Sequence, residues 1–149
     1  MIVAVGTDHA GFALKSTVMD AIRAAGHEAL DCGAYAIDPD DDYPDFAEAV
    51  AHAVLATKAE RGILLCGSGV GASVAANKFK GIRAALCSDT FSARQGVEDD
   101  SMNVLAIGAR VVGPALATEL VHAFLRARFS GAERHRRRLN KVLDFERTS

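Results

Sequence analysis

Cysteine is scarce in this chain: there are three, Cys32, Cys66 and Cys87, an odd set without a CxxC pair. That spacing disfavours a disulfide framework or a zinc site, and a reducing cytoplasm is the expected setting. No apolar run approaches the roughly 20 residues of a membrane span. No basic segment followed by an apolar stretch opens the chain, so no membrane partner is expected. Internal repeats and low-complexity linkers are missing too. What is present is 149 residues, half of them apolar and 24% charged, with a net charge of −2. This is the profile of a single globular domain that can bury a core without staples.

Charge is uneven. Residues 126–149 carry eight basic and three acidic side chains, which leaves residues 1–125 at −7. A basic end on an acidic body suits an anion-binding arm or a contact between identical subunits. Nucleic acid is not the expected partner, because few aromatics accompany the arginines and no recognisable module precedes them.

Strand and helix patterns alternate from end to end. "IVAV" (2–5), "HEAL" (27–30), "GILLC" (62–66), "RAALC" (83–87) and "NVLAI" (103–107) read as strands. Leu14, Val18 and Ile22 share one helical face in a helix that stops at Gly26, and Pro44 suits the first turn of the next. Further helices are expected over 69–79, 90–98, from Pro114 through Phe124, and over 131–146. Strands that are apolar throughout are buried on both faces. The reading is one doubly wound, Rossmann-like α/β domain over 1–149, a five-stranded parallel sheet between helices. Ligands of such sheets bind beyond the carboxyl ends of the strands. That edge should gather Asp8 and His9, the run Cys66 to Gly71, and Ser88 with Asp89.

The stretch "CGSGVGASVAAN" (66–77) puts three glycines between a buried strand and a helix. Exposed amides and the helix dipole there attract negative charge, although a tight turn needing glycine only for its geometry is the plainer account. A dinucleotide fingerprint wants its third glycine three residues after the second; here the spacing is GxGxG, and only Asp89 falls near the expected acid position. Cys66, at the mouth of the helix, is either a thiolate able to move a proton beside a carbonyl or a small buried hydrophobe. Cys32 and Cys87 fit the second description. His9 can shuttle a proton and Asp8 can hold a hydroxyl, or Asp8 can cap the helix near Gly11. His27, His52 and His122 read as surface or packing residues. The aspartates of 38–45 match no EF-hand and read as a solvated loop, in which Tyr43 could present its hydroxyl to a site. Arg134, Arg138 and Lys141 fall on one helical face that either grips phosphate or is simply solvated, and Arg110 is another anion ligand candidate.

In "GTDHAGFALK", "DCGAY", "DDYPDFA", the central block 62–86, "FSARQ", "NVLAIGARVVG" and "ERHRRR", the chain resembles the ribose-5-phosphate isomerase B family, which includes galactose-6-phosphate isomerase subunits. The resemblance runs nearly end to end and the central block is its most specific part. It implies a metal-free, cofactor-free aldose–ketose isomerase that acts on a small phosphosugar through a cis-enediolate. By position, Cys66 would be the base and Ser68 would assist proton exchange between the oxygens. The amides of Gly67, Gly69, Val70 and Gly71 would form the anion hole. Asp8, His9 and Tyr43 would contact the sugar. Arg110, Arg134, His135 and Arg138 would handle phosphate, some of them across the interface of a homodimer or dimer of dimers that its C-terminal helix reaches.

One departure stands out. Ribose-phosphate isomerases of the family usually carry a ring-opening histidine where this chain has Asp99, and Asp100 replaces a common asparagine beside it. A carboxylate is a poor proton donor near neutrality unless burial intervenes. Either His9 opens the ring, or Asp99 is perturbed, or the substrate is a four- or six-carbon phosphate that is handled differently. Ribose 5-phosphate and ribulose 5-phosphate are the default pair. A non-catalytic sugar-phosphate- or nucleotide-binding subunit is the remaining reading, which the retained Cys66 opposes.

Overall fold

The computed structural model describes residues 1–149. Five strands, β1 (Ile2–Thr7), β2 (Glu28–Asp31), β3 (Arg61–Cys66), β4 (Ala84–Leu86) and β5 (Val104–Gly108), form one sheet in the order β2-β1-β3-β5-β4. Every pairing is parallel. The helices are α1 (Lys15–Ala24), α2 (Tyr43–Leu55), α3 (Val70–Ala76), α4 (Thr90–Asp100), α5 (Pro114–Arg126) and α6 (Glu133–Thr148). A 3-10 turn, Phe12–Leu14, precedes α1. The expected doubly wound α/β architecture is therefore what the chain adopts.

Alternation along each strand builds two cores. Val3, Val5, Ile63, Leu65, Leu105 and Ile107 pack with Val18, Ile22, Leu120 and Phe124 of α1 and α5. Ala4, Leu64, Cys66 and Val104 meet Val50, Ala51, Ala72 and Ala76 of α2 and α3 on the opposite face. Burial of each large aliphatic side chain contributes about 1.5–3 kcal/mol. Alanines under α3 let that helix sit close to the sheet, which fixes the position of the glycine turn at its head.

Two elements are shorter than their sequence patterns suggest. Both ends of the Asn77 side-chain amide bind Ala84: Nδ2 donates to its carbonyl at 2.9 Å and Oδ1 accepts from its amide at 2.8 Å. The amide thus supplies at the sheet edge the bonds a sixth strand would have made. It also ends α3 at Ala76, before the expected residue 79. At the other end of the pattern, α1 does stop where expected: Gly26 follows it with φ +85°, a left-handed conformation that glycine adopts without strain.

Topology then positions the site. The chain leaves β1 towards β2 on one side and β3 on the other, so a crevice opens beyond the carboxyl ends of these strands. Thr7 lies beside Leu65, and Cys66 beside Gly108, so the exits of β1, β3 and β5 fall at one level.

Candidate active site

β3 ends on Cys66, and the chain turns through Gly67, Ser68 and Gly69 into α3. Gly69 has φ +85°, and a methyl there would lie 2.5 Å from Leu86 Cδ1 and 3.1 Å from the Gly108 nitrogen. Only glycine fits. This conformation turns the Gly69 amide back onto the preceding side chain, and it donates to Cys66 Sγ at 3.1 Å. The sulfur is buried, yet Cys66 lines the cavity and its sulfur faces the glycine turn. Val70 N donates to Ser68 Oγ at 3.2 Å. The amides of Gly67 and Gly71 have no acceptor in the protein. The four amides expected to act alike thus divide into two engaged with the reactive side chains and two open.

The exit of β5 is laced to this turn. Ala109 N donates to Cys66 O and Arg110 N to Gly67 O, both at 2.9 Å. The Arg110 guanidinium consequently lies over Gly67, with Nη1 3.4 Å from where a β-carbon would be. Across the cavity, the Tyr43 ring at the start of α2 rests on Gly71, whose β-carbon would meet Cζ at 2.6 Å. These groups, with Asp8 and His9, enclose about 360 Å³, a size suited to a small polar ligand.

Asp8 is buried and accepts from Gly11 N at 3.0 Å, so it does anchor the turn leading into α1 while facing the cavity. His9 is held by a residue that spacing did not single out. Its main-chain N–H, at 3.0 Å, and its ring Nδ1, at 2.7 Å, both donate to Oδ1 of Asp41. The hydrogen bond to Asp41 is the main reason that His9 titrates above the ordinary imidazole value of 6.5. Partial burial opposes it, the charges of Asp41 and Asp8 add to it, and Arg110 subtracts. A raised histidine contributes its stability fully below the ordinary value, and the contribution fades as pH climbs through the raised midpoint.

Other candidates lie elsewhere in the chain. Asp99, on α4, accepts from Gln95 Nε2 at 2.6 Å and sits 3.4 Å from His135 Nε2. His135 is buried, with its other ring nitrogen 2.6 Å from Ser130 Oγ. Nε2 thus faces α4, while Nδ1 is held by the loop that leads into α6. Asp100 and Arg138 border a hollow of about 470 Å³ between α6 and β4, and Arg134 is exposed on α6. None of these five lines the Cys66 cavity of the same chain. Asp89 accepts from Ser92 N at 2.6 Å as the cap of α4, which removes the acid that the dinucleotide reading needed. Burial pushes the Cys87 thiol up to about 11, and burial followed by the Asp31 charge raises Cys32. His122 binds the Ala21 carbonyl, and His52 packs edge-on against Phe79, in keeping with packing roles.

Asp8, His9 and Asp41 could offer one metal-ligand atom each within 4.8 Å of one another. Nδ1 of His9 must carry a proton to reach Asp41, and Asp8 Oδ1 is taken by Gly11 N. A larger hollow of about 500 Å³ between α4 and α5, lined by Phe91, Arg94 and Arg126, has no thiol.

A thiol, unengaged backbone amides and a histidine–carboxylate pair surround a small cavity at the switch point of a parallel sheet, where proteins of this α/β class bind their ligands. Comparison with known proteins names the kind. The family model for Ribose/Galactose Isomerase matches residues 3–142. Ribose-5-phosphate isomerase B of Escherichia coli is 43% identical over 97% of this chain and 95% of its own length. D-erythrulose-4-phosphate isomerase of Pectobacterium atrosepticum is 45% identical over 87% of this chain and 85% of its own. The solved structure of type B ribose 5-phosphate isomerase from Trypanosoma cruzi superposes with a TM-score of 0.97 at 39% identity, covering both chains completely. The chain belongs to the ribose/galactose isomerase family and is an isomerase of the ribose-5-phosphate isomerase B type.

Proposed function

We propose that the chain interconverts an aldose phosphate and its ketose phosphate through a cis-enediolate, with ribose 5-phosphate and ribulose 5-phosphate as the default pair. The observation that carries this reading is the Gly69 amide 3.1 Å from Cys66 Sγ, inside a cavity where the Gly67 and Gly71 amides are open. A hydrogen bond to sulfur supports negative charge on it. Sγ takes the proton from C2 of the open-chain aldose, the open amides receive the charge that develops on the carbonyl oxygen, and Sγ returns the proton to C1. Ser68 Oγ relays the proton between the two oxygens. Each well-placed donor is worth about 10²–10³ in rate. Asp8 and Tyr43 hold the sugar hydroxyls, His9 opens the ring in place of the usual histidine, and Arg110 stands at the phosphate end.

A four-carbon substrate is the second reading. In a tetrose or tetrulose 4-phosphate the 4-hydroxyl, which closes the furanose ring of ribose 5-phosphate, carries the phosphate, so no ring needs opening and a chain with Asp99 in place of the histidine would lose nothing on it. The Pectobacterium relative, which is named for erythrulose 4-phosphate, favours this alternative. Four-, five- and six-carbon phosphosugars assayed in deuterated solvent separate the readings. Solvent deuterium should enter at C1 or C2 of the preferred sugar, and no exchange with any of them would reject the enediolate.

Arg134, Arg138 and Asp100 fall outside the cavity of their own chain, which favours a homodimer whose α6 brings the arginines to the neighbouring subunit's site. Mixing an Arg138→Ala chain with a Cys66→Ala chain should then restore part of the activity, because some hybrid dimers carry one intact site. Assays of the mixture against each parent check this; the absence of rescue would place each site within one chain. No helix is long and apolar enough to cross a membrane, and a cytoplasmic place in carbohydrate metabolism, in the pentose phosphate pathway for the default pair, fits the proposed chemistry.

A further inference from the structure

We infer that Asp41 is the positioning residue of His9: it fixes the imidazole as the Nδ1–H tautomer and leaves Nε2 to work in the cavity. The inference extends the reading of His9 as the proton-handling group at the sugar ring. Four acidic residues precede Tyr43, and Asp38, Asp40 and Asp42 stay at the surface or half-exposed. Only Asp41 turns inward. Its side chain is 10% exposed, and no lysine or arginine pairs with it. Oδ1 accepts both hydrogen bonds from His9, while Oδ2 is buried and has no partner at all.

Such a carboxylate is expensive for a fold. Burying a charge with half its acceptors unsatisfied opposes folding, and surface chemistry at 41 would avoid that cost. Departures of this kind from complete polar pairing concentrate where a group has a task. The only group that Asp41 serves is His9. Because both the main-chain N–H and the ring of His9 converge on one oxygen, backbone and side chain of this residue are fixed together. The ring is 34% exposed and lines the cavity, and Nε2 makes no hydrogen bond within the protein. A carboxylate that accepts from Nδ1–H makes Nε2 the basic nitrogen and stabilises the imidazolium once Nε2 has gained a proton. That combination suits a group that must take a proton from the anomeric hydroxyl and deliver one to the ring oxygen. The other groups facing His9 are Asp8 and Arg110, of opposite charge, with Tyr43 and Cys66 on the same cavity wall.

Nitrogen-15 NMR of the histidine side chains in the whole, unliganded protein tests the first half without any appeal to activity. His9 should show the Nδ1–H tautomer at alkaline pH and titrate above the ordinary imidazole value. Asp41→Asn should bring its midpoint down and mix the tautomers. Finding the Nε2–H form in the unaltered protein, or an unchanged midpoint in Asp41→Asn, would overturn the inference. Kinetics tests the second half. Asp41→Asn should lower kcat for ribose 5-phosphate about 10²-fold, with KM much less affected. In a His9→Asn background, the same substitution should have almost no further effect. An equal loss in both backgrounds would make Asp41 a structural residue of its loop. Since the NMR result stands even if the natural sugar proves to be a different one, failure of the inference and failure of the substrate reading are distinguishable.

Discussion

Replacing Cys66 with alanine is expected to lower turnover about 10²–10⁴-fold, the usual contribution of a positioned general base. Phosphosugar binding should survive, because Arg110, Asp8 and Tyr43 are untouched. The effect should fall on kcat, since in the proposed mechanism the sulfur acts when the carbon–hydrogen bond breaks and not when substrate docks. Removing the sulfur also strips the Gly69 amide of its acceptor, so alanine alone cannot separate a lost base from a loosened turn. Serine can. A hydroxyl at 66 keeps an acceptor within reach of Gly69 but is a far weaker acid than a thiol, so Cys66→Ser should preserve the thermal midpoint and still lose most of its turnover. Solvent deuterium should enter neither C1 nor C2 in either variant. Full exchange in the serine variant would remove the sulfur from the reaction.

Gly108→Ala is expected to damage both stability and catalysis although no side chain of the site is altered. Gly108 closes β5 beside Cys66, and its added methyl would lie 2.6 Å from the Ser68 carbonyl carbon and 2.9 Å from its Cα, closer still to the oxygen. All three are backbone atoms, which cannot swing aside as the tip of a flexible side chain would. The strand and the glycine turn must separate. Overpacking of this sort costs about 1–3 kcal/mol, read as a lowered midpoint in denaturant with an unchanged slope. The displaced turn carries the amides that are to receive the enediolate charge, so kcat should fall at least about 10²-fold. Gly113→Ala is the control, because its methyl enters open space at an ordinary φ of −88°. A normal rate in Gly108→Ala would mean that the turn tolerates movement and that its amides are not preorganised.

Much of this arrangement was legible in the amino-acid order. The apolar runs at 2–5, 62–66 and 103–107 are the three inner strands, because residues buried on both sides leave a continuous hydrophobic signature. Cys66 next to three glycines at a strand-to-helix junction is a local pattern, and a local pattern can be read directly. Asp41 could not be read this way. It lies 32 residues from His9, in a run of aspartates that composition alone assigns to solvent, and only the fold of the loop distinguishes the one that points inward. The burial of His135 was hidden for a related reason. Arginines surround it in the sequence, and its burial depends on Ser130 and Asp99 arriving from different elements. The division of labour among the four amides depended on the left-handed turn at Gly69, for which the glycine was a hint but not a geometry.

The sulfur, the glycine turn and the arginine hang from β3 and β5, and the histidine from β1, which makes the proposed reaction centre part of the sheet's stiff interior. Tyr43 and the loop before it, by contrast, belong to a long connection outside the sheet. Enzymes built on this plan can trade one sugar for a shorter or longer one by redrawing that periphery around Asp41, and the sulfur and the glycine turn need not take part in the change.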